Sequence, residues 1–210
     1  MQNTAPKIVY RFKDALYINL TNRCPNACAF CLKNKFSMKF EGYNLNLCGK
    51  EPSAGEVIRA AEFELGLQSA REIVFCGYGE PTMRLETLLA AAKELKKYKI
   101  PLRLNTVGLA NLVYGRDVTG ELAGVLDKVN ISLNSPDKAQ WLAIVRPQQK
   151  YAADAFESMQ DFIRLTAQKM PPGSVALSIV DKQGIDVAAA QKLAQNLGAK
   201  LHVREYIDDK

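Results

Sequence analysis

The sequence predicts an α/β protein built on a parallel sheet, and three observations predict it. Short apolar runs rich in β-branched residues recur six times, and segments with helical apolar spacing separate them. Gly, Pro, Ser or Asp punctuates most of the junctions. No linker, low-complexity tract or short repeat divides the 210 residues, whose hydrophobic fraction is 48%, so one domain spanning 1–210 is expected. Strands alternating with helices imply parallel pairing through right-handed crossovers. Six such units are two short of a closed eight-unit barrel.

The first expected strand covers 15–21 and feeds a cysteine-rich loop. A polar stretch follows, with Gly42, Asn44, Asn46 and Gly49. It is longer than most connections, which marks 32–51 as a lid-like loop. Ser53 and Glu56 have the spacing of a capping box, so a helix opens after Pro52, with Val57, Ala60, Ala61 and Leu65 as its apolar face. The second strand, 72–76, ends in Gly77-Tyr78-Gly79-Glu80-Pro81-Thr82. Leu85, Leu88, Leu89, Ala92 and Leu95 repeat at helical period after it. The third strand, 102–106, leads to Val107-Gly108 and a short helix over 119–126.

The fourth strand is 128–134. Ser135-Pro136 then reads as N-cap and first helical residue of a helix bearing Trp141, Leu142 and Val145. A further helix over 151–169 turns Phe156, Met159 and Ile163 inward, and the fifth strand is 175–180. Asp186 caps a helix that Gly198 closes. The sixth strand, 200–206, carries His202, Arg204 and Tyr206 on one face and Val203 and Glu205 on the other. One of these faces is expected to look inward, where Arg204 would suit an anionic substrate.

No run approaches the roughly 20 apolar residues of a membrane-spanning helix, and Met1–Lys7 lacks an apolar signal core. A cytoplasmic setting is therefore expected, with thiols kept reduced and no membrane contact. The net charge of +6 is compatible with nucleic acid, an acidic protein or an anionic substrate. It selects none of them, because most Lys and Arg sit singly on expected helices.

The chemistry gathers at Cys24, Cys28 and Cys31, three of the five cysteines, in a loop just after the first strand. Thiolates are soft ligands that suit zinc or iron–sulfur clusters. A [4Fe–4S] cluster on three thiolates leaves one iron open to a non-protein ligand. Zinc normally takes four protein ligands. His202, the only histidine, lies far along the chain, but Cys48 offers a fourth thiolate.

Cys-x3-Cys-x-Phe-Cys, with Phe30 before the last cysteine, resembles the signature loop of the radical S-adenosylmethionine (SAM) enzymes. The resemblance implies an open, partial TIM-type (βα)6 barrel and a [4Fe–4S] cluster on Cys24, Cys28 and Cys31. The open iron takes the amino and carboxylate groups of SAM. Reductive cleavage then releases a 5′-deoxyadenosyl radical, which takes hydrogen from a substrate. Phe30 is expected to pack on adenine. Gly77-Tyr78-Gly79-Glu80-Pro81 resembles the family's G-G-E-P motif, with Tyr78 where its first glycine stands. Main-chain groups of Gly77, Tyr78, Gly79 and Glu80 would hold the SAM amino group. Asn105, Ser132 and Asn134 stand where related enzymes grip the ribose or carboxylate of SAM, with plain turn formation beside Pro136 as the alternative for the latter two.

Arg23, Lys33, Lys35 and Lys39 flank the cysteine loop and would attract an acidic flavodoxin or ferredoxin as electron donor. Cys76 is expected to be a buried core thiol. The compact length and the run Asn105–Leu109 are most similar to the small radical SAM group associated with TatD-type hydrolases. That makes such a hydrolase a candidate partner and a small molecule or peptide the favoured substrate over nucleic acid. Glycyl-radical activating enzymes are an alternative, though they usually carry acidic and lysine side chains at the Asn105, Ser132 and Asn134 positions. Radical RNA methyltransferases need a cysteine near the C-terminus, and none follows Cys76. A non-catalytic zinc or iron–sulfur protein is the third alternative.

Overall fold

The computed structural model describes residues 5–181 and 184–205. It divides into two compact units: one holds the chain up to Cys24, Phe30–Thr106 and Gly124–Asp127, the other Pro25–Ala29, Val107–Ala123 and the chain from Lys128 onward.

The first unit starts with an antiparallel hairpin of β1 (Val9–Phe12) and β2 (Ala15–Ile18), turning through Lys13 at φ 53°. Then come α1 (Leu32–Lys35), β3 (Lys39–Phe40), β4 (Tyr43–Asn44), α2 (Ala54–Leu67), β5 (Glu72–Phe75), α3 (Leu85–Leu95) and β6 (Leu102–Thr106). The strand order is β1-β2-β5-β6, with β2, β5 and β6 mutually parallel. The register places the fully buried Leu16, Ile18, Ile73, Phe75, Leu102 and Leu104 on one face. The opposite face is mixed: it carries Tyr17, Val74 and a half-buried Arg103, whose Nη2 lies 2.7 Å from a Glu72 carboxylate oxygen. Helix α2 opens on the expected capping box, in which Ser53 Oγ accepts from Glu56 N and the Glu56 carboxylate accepts from Ser53 N at 2.8 Å. Such a cap stabilises a helix by about 1 kcal/mol. Its last carbonyls, Glu64 O and Gln68 O, accept from the Arg11 guanidinium.

The second unit contains α4 (Ala110–Tyr114), most of α5 (Thr119–Val125), β7 (Lys128–Ser132), α6 (Lys138–Val145), α7 (Ala155–Lys169), β8 (Val175–Asp181), α8 (Val187–Asn196) and β9 (Lys200–Glu205). Strands β7, β8 and β9 are parallel neighbours in that order. Helix α7 buries Phe156, Met159, Phe162, Ile163 and Thr166, a stripe of three- and four-residue steps. Phe156 meets the fully buried Trp141 edge to face at 5.5 Å. Three parallel strands in each unit account for the six expected ones.

Several expectations need correction. Asn19, Leu20 and Thr21 leave the ladder, so the first parallel strand ends at Ile18. Strand β7 stops at Ser132, because Asn134 turns left-handed at φ 62°. Helix α6 begins two residues later than expected, at Lys138. Asp137 caps it by accepting from Gln140 N at 2.7 Å, while Ser135 Oγ accepts from Asp137 N in a local turn. Helix α7 begins at Ala155, not near 151. Neither face of β9 is buried: residues 202–205 are all exposed, so Arg204 does not point into an interior. Tyr206 lies outside the described residues. Cys76 is partly exposed, not buried. The 32–51 segment is not a bare loop, since it carries α1 and the β3–β4 hairpin, whose turn runs through Glu41 and Gly42 at positive φ. Among the described residues no helix is long and apolar enough to cross a membrane.

Candidate functional site

The cysteine loop starts where β2 ends. Asn19 and Thr21 are buried polar residues on the way to it. The turn after β5 rests directly on them. A Cβ at Gly77 would stand 2.1 Å from Asn19 Oδ1, and one at Gly79 would stand 2.2 Å from the Thr21 carbonyl oxygen. Both glycines are therefore required for close approach and not for a left-handed backbone. Glu80 N donates to Arg23 O at 2.8 Å, which joins the turn to the residue before Cys24. The Glu80 side chain is 2% exposed, and its Oε1 accepts from Thr82 N, Thr82 Oγ1 and, at 2.8 Å, Thr106 Oγ1. That carboxylate thus holds the turn to the end of β6.

Tyr78 fills the place of a motif glycine with a ring that packs against Tyr10 and Leu45. Its hydroxyl donates to Lys39 O at 2.6 Å. Burial pushes the Tyr78 phenol up to about 12, and the nearby Cys31 sulfur adds to the shift. Tyr17 and, from the 32–51 segment itself, Met38, Phe40 and Tyr43 pack against this cluster of Tyr10, Leu45 and Tyr78. That segment is pinned further by Asn19 Nδ2 and Asn22 Nδ2, both donating to Leu45 O, and by Leu47 N donating to Asn22 Oδ1 at 2.7 Å.

Cys24 and Cys31 belong to the first unit and Cys28 to the second. All three are partly exposed and free of disulfides. Cys31 is the N-cap residue of α1, its carbonyl accepting from Asn34 N and Lys35 N. In the second unit the chain after α6 runs alongside the loop. Ala27 N donates to Arg146 O, Ala29 N to Ile144 O and Gln148 N to Pro25 O, at 2.8–3.0 Å. Arg146 ends α6 in a left-handed conformation, so its role is a helix terminus and a backbone wall for the loop. Among the described residues no three Cys, His, Asp or Glu side chains are gathered as a metal site. The donor set nevertheless fits an iron–sulfur cluster: three partly exposed thiols free of disulfides on one short loop that carries no carboxylate or imidazole. Cys48 is exposed at φ 50°, and its N donates to Asn46 Oδ1 at 2.9 Å.

Phe30 is partly exposed, which leaves its ring available for stacking. Asn105 is occupied, since its Oδ1 accepts from Arg103 Nη1 at 2.5 Å. Ser132 and Asn134 do come together, with Asn134 Nδ2 donating to Ser132 O. Asn134 is 6% exposed, and its Oδ1 has no partner among the described residues. Sequence reasoning missed Ser178 and Asn26, among others. Ser178 on β8 pairs in register with Ser132, and its carbonyl accepts from Leu133 N and Asn134 N. It is fully buried, yet its hydroxyl has no partner among the described residues. Asn26, inside the cysteine loop, is 6% exposed with both amide atoms unpartnered there. Unsatisfied buried polar atoms are costly and point to an absent ligand or water. The polar Ser178 within an apolar strand run was the only sequence signal for the first; nothing marked Asn26.

The basic rim is smaller than expected. Arg23 is bound bidentately by Glu51, Nε to Oε1 at 2.8 Å and Nη2 to Oε2 at 2.9 Å. Burial alone would raise the Glu51 carboxyl, but hydrogen bonds from Arg23 and Thr21 and the Arg84 charge hold it below the usual range.

The fold and site define an α/β protein with a three-cysteine loop at the first parallel strand and a glycine turn laid against it. Residues 18–177 match the radical SAM superfamily, and the chain belongs to that family. It is 36% identical over 138 residues to a GTP 3′,8-cyclase of Mycobacterium marinum, a match covering 62% of this chain and 34% of the relative. The chain thus spans about a third of the length of the curated relatives it matches. Streptococcus suis SuiB bound to precursor peptide SuiA superposes with TM-score 0.67 at 13% identity, covering 95% of this chain and 40% of that one. TYW1 with a lysine-pyruvate adduct gives 0.63 at 12%, covering 93% and 65%. These structures share the fold, a partial TIM-type barrel. The family uses a [4Fe–4S] cluster and SAM, and Cys24, Cys28 and Cys31 fit its C-x3-C-x2-C spacing.

Proposed function

We propose that this chain is a radical SAM enzyme that holds its cluster on Cys24, Cys28 and Cys31. Bound there, the cluster and SAM would supply reductive radical chemistry, the removal of a hydrogen atom from the substrate. The single observation that carries the reading is the glycine turn packed on residues 19–23. It puts main-chain groups of Gly77–Glu80 beside the residues leading to Cys24, where a ligand amino group would meet them. Glu80 keeps that turn in place through Thr82 and Thr106. Within the second unit, Asn134 Oδ1 and the Ser178 hydroxyl are a buried acceptor and donor suited to a polar group of a ligand such as SAM. Phe30 stacks on the adenine ring.

Lys33, Lys35 and Lys39 remain as the basic approach for a flavodoxin or ferredoxin donor. The setting is cytoplasmic. The substrate is unassigned, because the similar proteins differ in it by name: a GTP cyclase, and SuiB with a peptide. A small molecule or peptide fits the reading, and association with a TatD-type hydrolase rests on the run Asn105–Leu109. Metal analysis after anaerobic purification is the test. Iron and sulfide in equal amounts support the reading, while stoichiometric zinc with no iron uptake on reconstitution overturns it in favour of a zinc protein using Cys48.

A further inference from the structure

One carboxylate links the two halves of the proposed cofactor site within the first unit. Glu51 accepts from the Thr21 hydroxyl, from Arg23 Nε and Nη2, and from Arg84 Nη1 at 3.0 Å. Thr21 and Arg23 are the residues that lead into Cys24, and Arg23 N also donates to Thr21 Oγ1. Arg84 stands at the other end of the site, closing the short 3₁₀ turn Pro81–Arg84 that follows the glycine motif. Arg84 Nη2 reaches Pro52 O at 3.0 Å and Thr87 Oγ1 at 2.9 Å, and Arg23 Nη2 reaches Met83 O at 3.4 Å. The Glu51 side chain is 22% exposed and lies between two guanidinium groups. Charge-assisted, bidentate bonds of this kind fix geometry as well as adding energy.

We propose that Glu51 is a positioning residue for the iron–sulfur and SAM site. It sets the residues before Cys24 and the turn of Gly77–Glu80 in one fixed relation. The proposal rests on the functional reading above, but the positioning itself is a property of the protein without cofactor. Removing the carboxylate leaves two arginines facing one another, which repel. Arg23 is then released, and with it the backbone on which Gly79 rests. Glu51 also ends the 32–51 segment, so the same residue that fastens the segment fastens the loop.

The test uses the full chain as Glu51→Gln and Glu51→Ala, with Arg84→Gln as a second route to the same link. In cofactor-free protein, iodoacetamide labelling is followed cysteine by cysteine by mass spectrometry. The proposal expects Cys24 to label several-fold faster in E51Q, with the Cys76 rate unchanged. In reconstituted protein it expects SAM affinity, read from the change SAM causes in the reduced cluster's electron paramagnetic resonance spectrum, to fall about tenfold, a typical loss for hydrogen bonds to a charged group. Arg84→Gln should reproduce the loss of SAM affinity. Unchanged Cys24 labelling in E51Q overturns the proposal. Equal acceleration at Cys24 and Cys76 also overturns it, because that reports general unfolding. Wild-type protein that takes up no iron would sink the functional reading, while the labelling comparison still decides whether Glu51 positions the loop.

Discussion

Substituting Gly79 by alanine isolates the contact on which the site is built. The new Cβ would lie 2.2 Å from Thr21 O and 2.8 Å from Arg23 O, whereas real Cβ contacts essentially never fall below 3.0 Å. The shortfall at Thr21 is 3.0 − 2.2, about 0.8 Å, and both obstacles are backbone carbonyls, so no side chain can swing away. Forced overpacking costs about 1–3 kcal/mol. For a chain of this size each kcal/mol lowers the melting temperature by about 2–4 °C, so G79A should melt roughly 2–12 °C lower. Gly77→Ala should be milder in its first contact, since Asn19 Oδ1 is a side-chain atom. It still disturbs the 2.9 Å bond from Asn19 Nδ2 to Leu45 O. Gly66→Ala is the control: an exposed helical glycine with nothing within 4 Å of its Cβ, gaining up to about 1 kcal/mol from helix propensity. The assays are thermal unfolding of the cofactor-free protein and SAM affinity after reconstitution. A G79A protein with wild-type melting temperature and wild-type SAM affinity would refute the reasoning.

Serine at Cys24, Cys28 or Cys31 should abolish the iron–sulfur absorbance, while serine at Cys48 or Cys76 should spare it, as iron and sulfide assays will report. Ser178→Ala removes a buried hydroxyl with no partner among the described residues, so stability should hold or rise slightly while SAM affinity drops several-fold; a stability loss with unchanged affinity contradicts the proposal. Asp117 accepts from Lys169, from the Thr119 hydroxyl and from Thr119 N, and these hold its carboxyl well below the usual range, the Lys169 bond most of all. A carboxyl depressed in the folded state contributes stability above its unfolded value near 3.9 and loses it as pH falls through the folded value. Asp117→Asn should therefore cost about 1 kcal/mol in urea unfolding at neutral pH, with the difference shrinking below about pH 4.

Much of the scaffold was legible because its signals are local. The capping box at Ser53, the strand at 102–106 and the caps at Asp186 and Gly198 each span a few residues, and all appear as read. β1 escaped because its turn uses Lys13-Asp14, with no Gly or Asn to announce a hairpin. The start of α6 slipped because Ser135 and Asp137 are both good caps, and only the hydrogen bonds reveal which was used. Asn134, expected inside the fourth strand, instead turns left-handed just past its end, and its amide donates back to Ser132 O. At the site, the cysteine spacing and the glycine motif were visible in the chain. Their contact was not, because Gly79 and Thr21 are 58 residues apart. The same distance problem hid Glu51 among ordinary surface carboxylates. The backing of the cysteine loop by Arg146–Gln148 was hidden for the same reason.

The central claim is that these residues assemble a site for reductive cleavage of SAM. The direct measurement is 5′-deoxyadenosine release by anaerobically reconstituted full chain, given SAM and dithionite. The account predicts 5′-deoxyadenosine together with methionine from wild type, and neither from Cys28→Ser. A wild-type protein carrying a full, reducible cluster that forms no 5′-deoxyadenosine would contradict it.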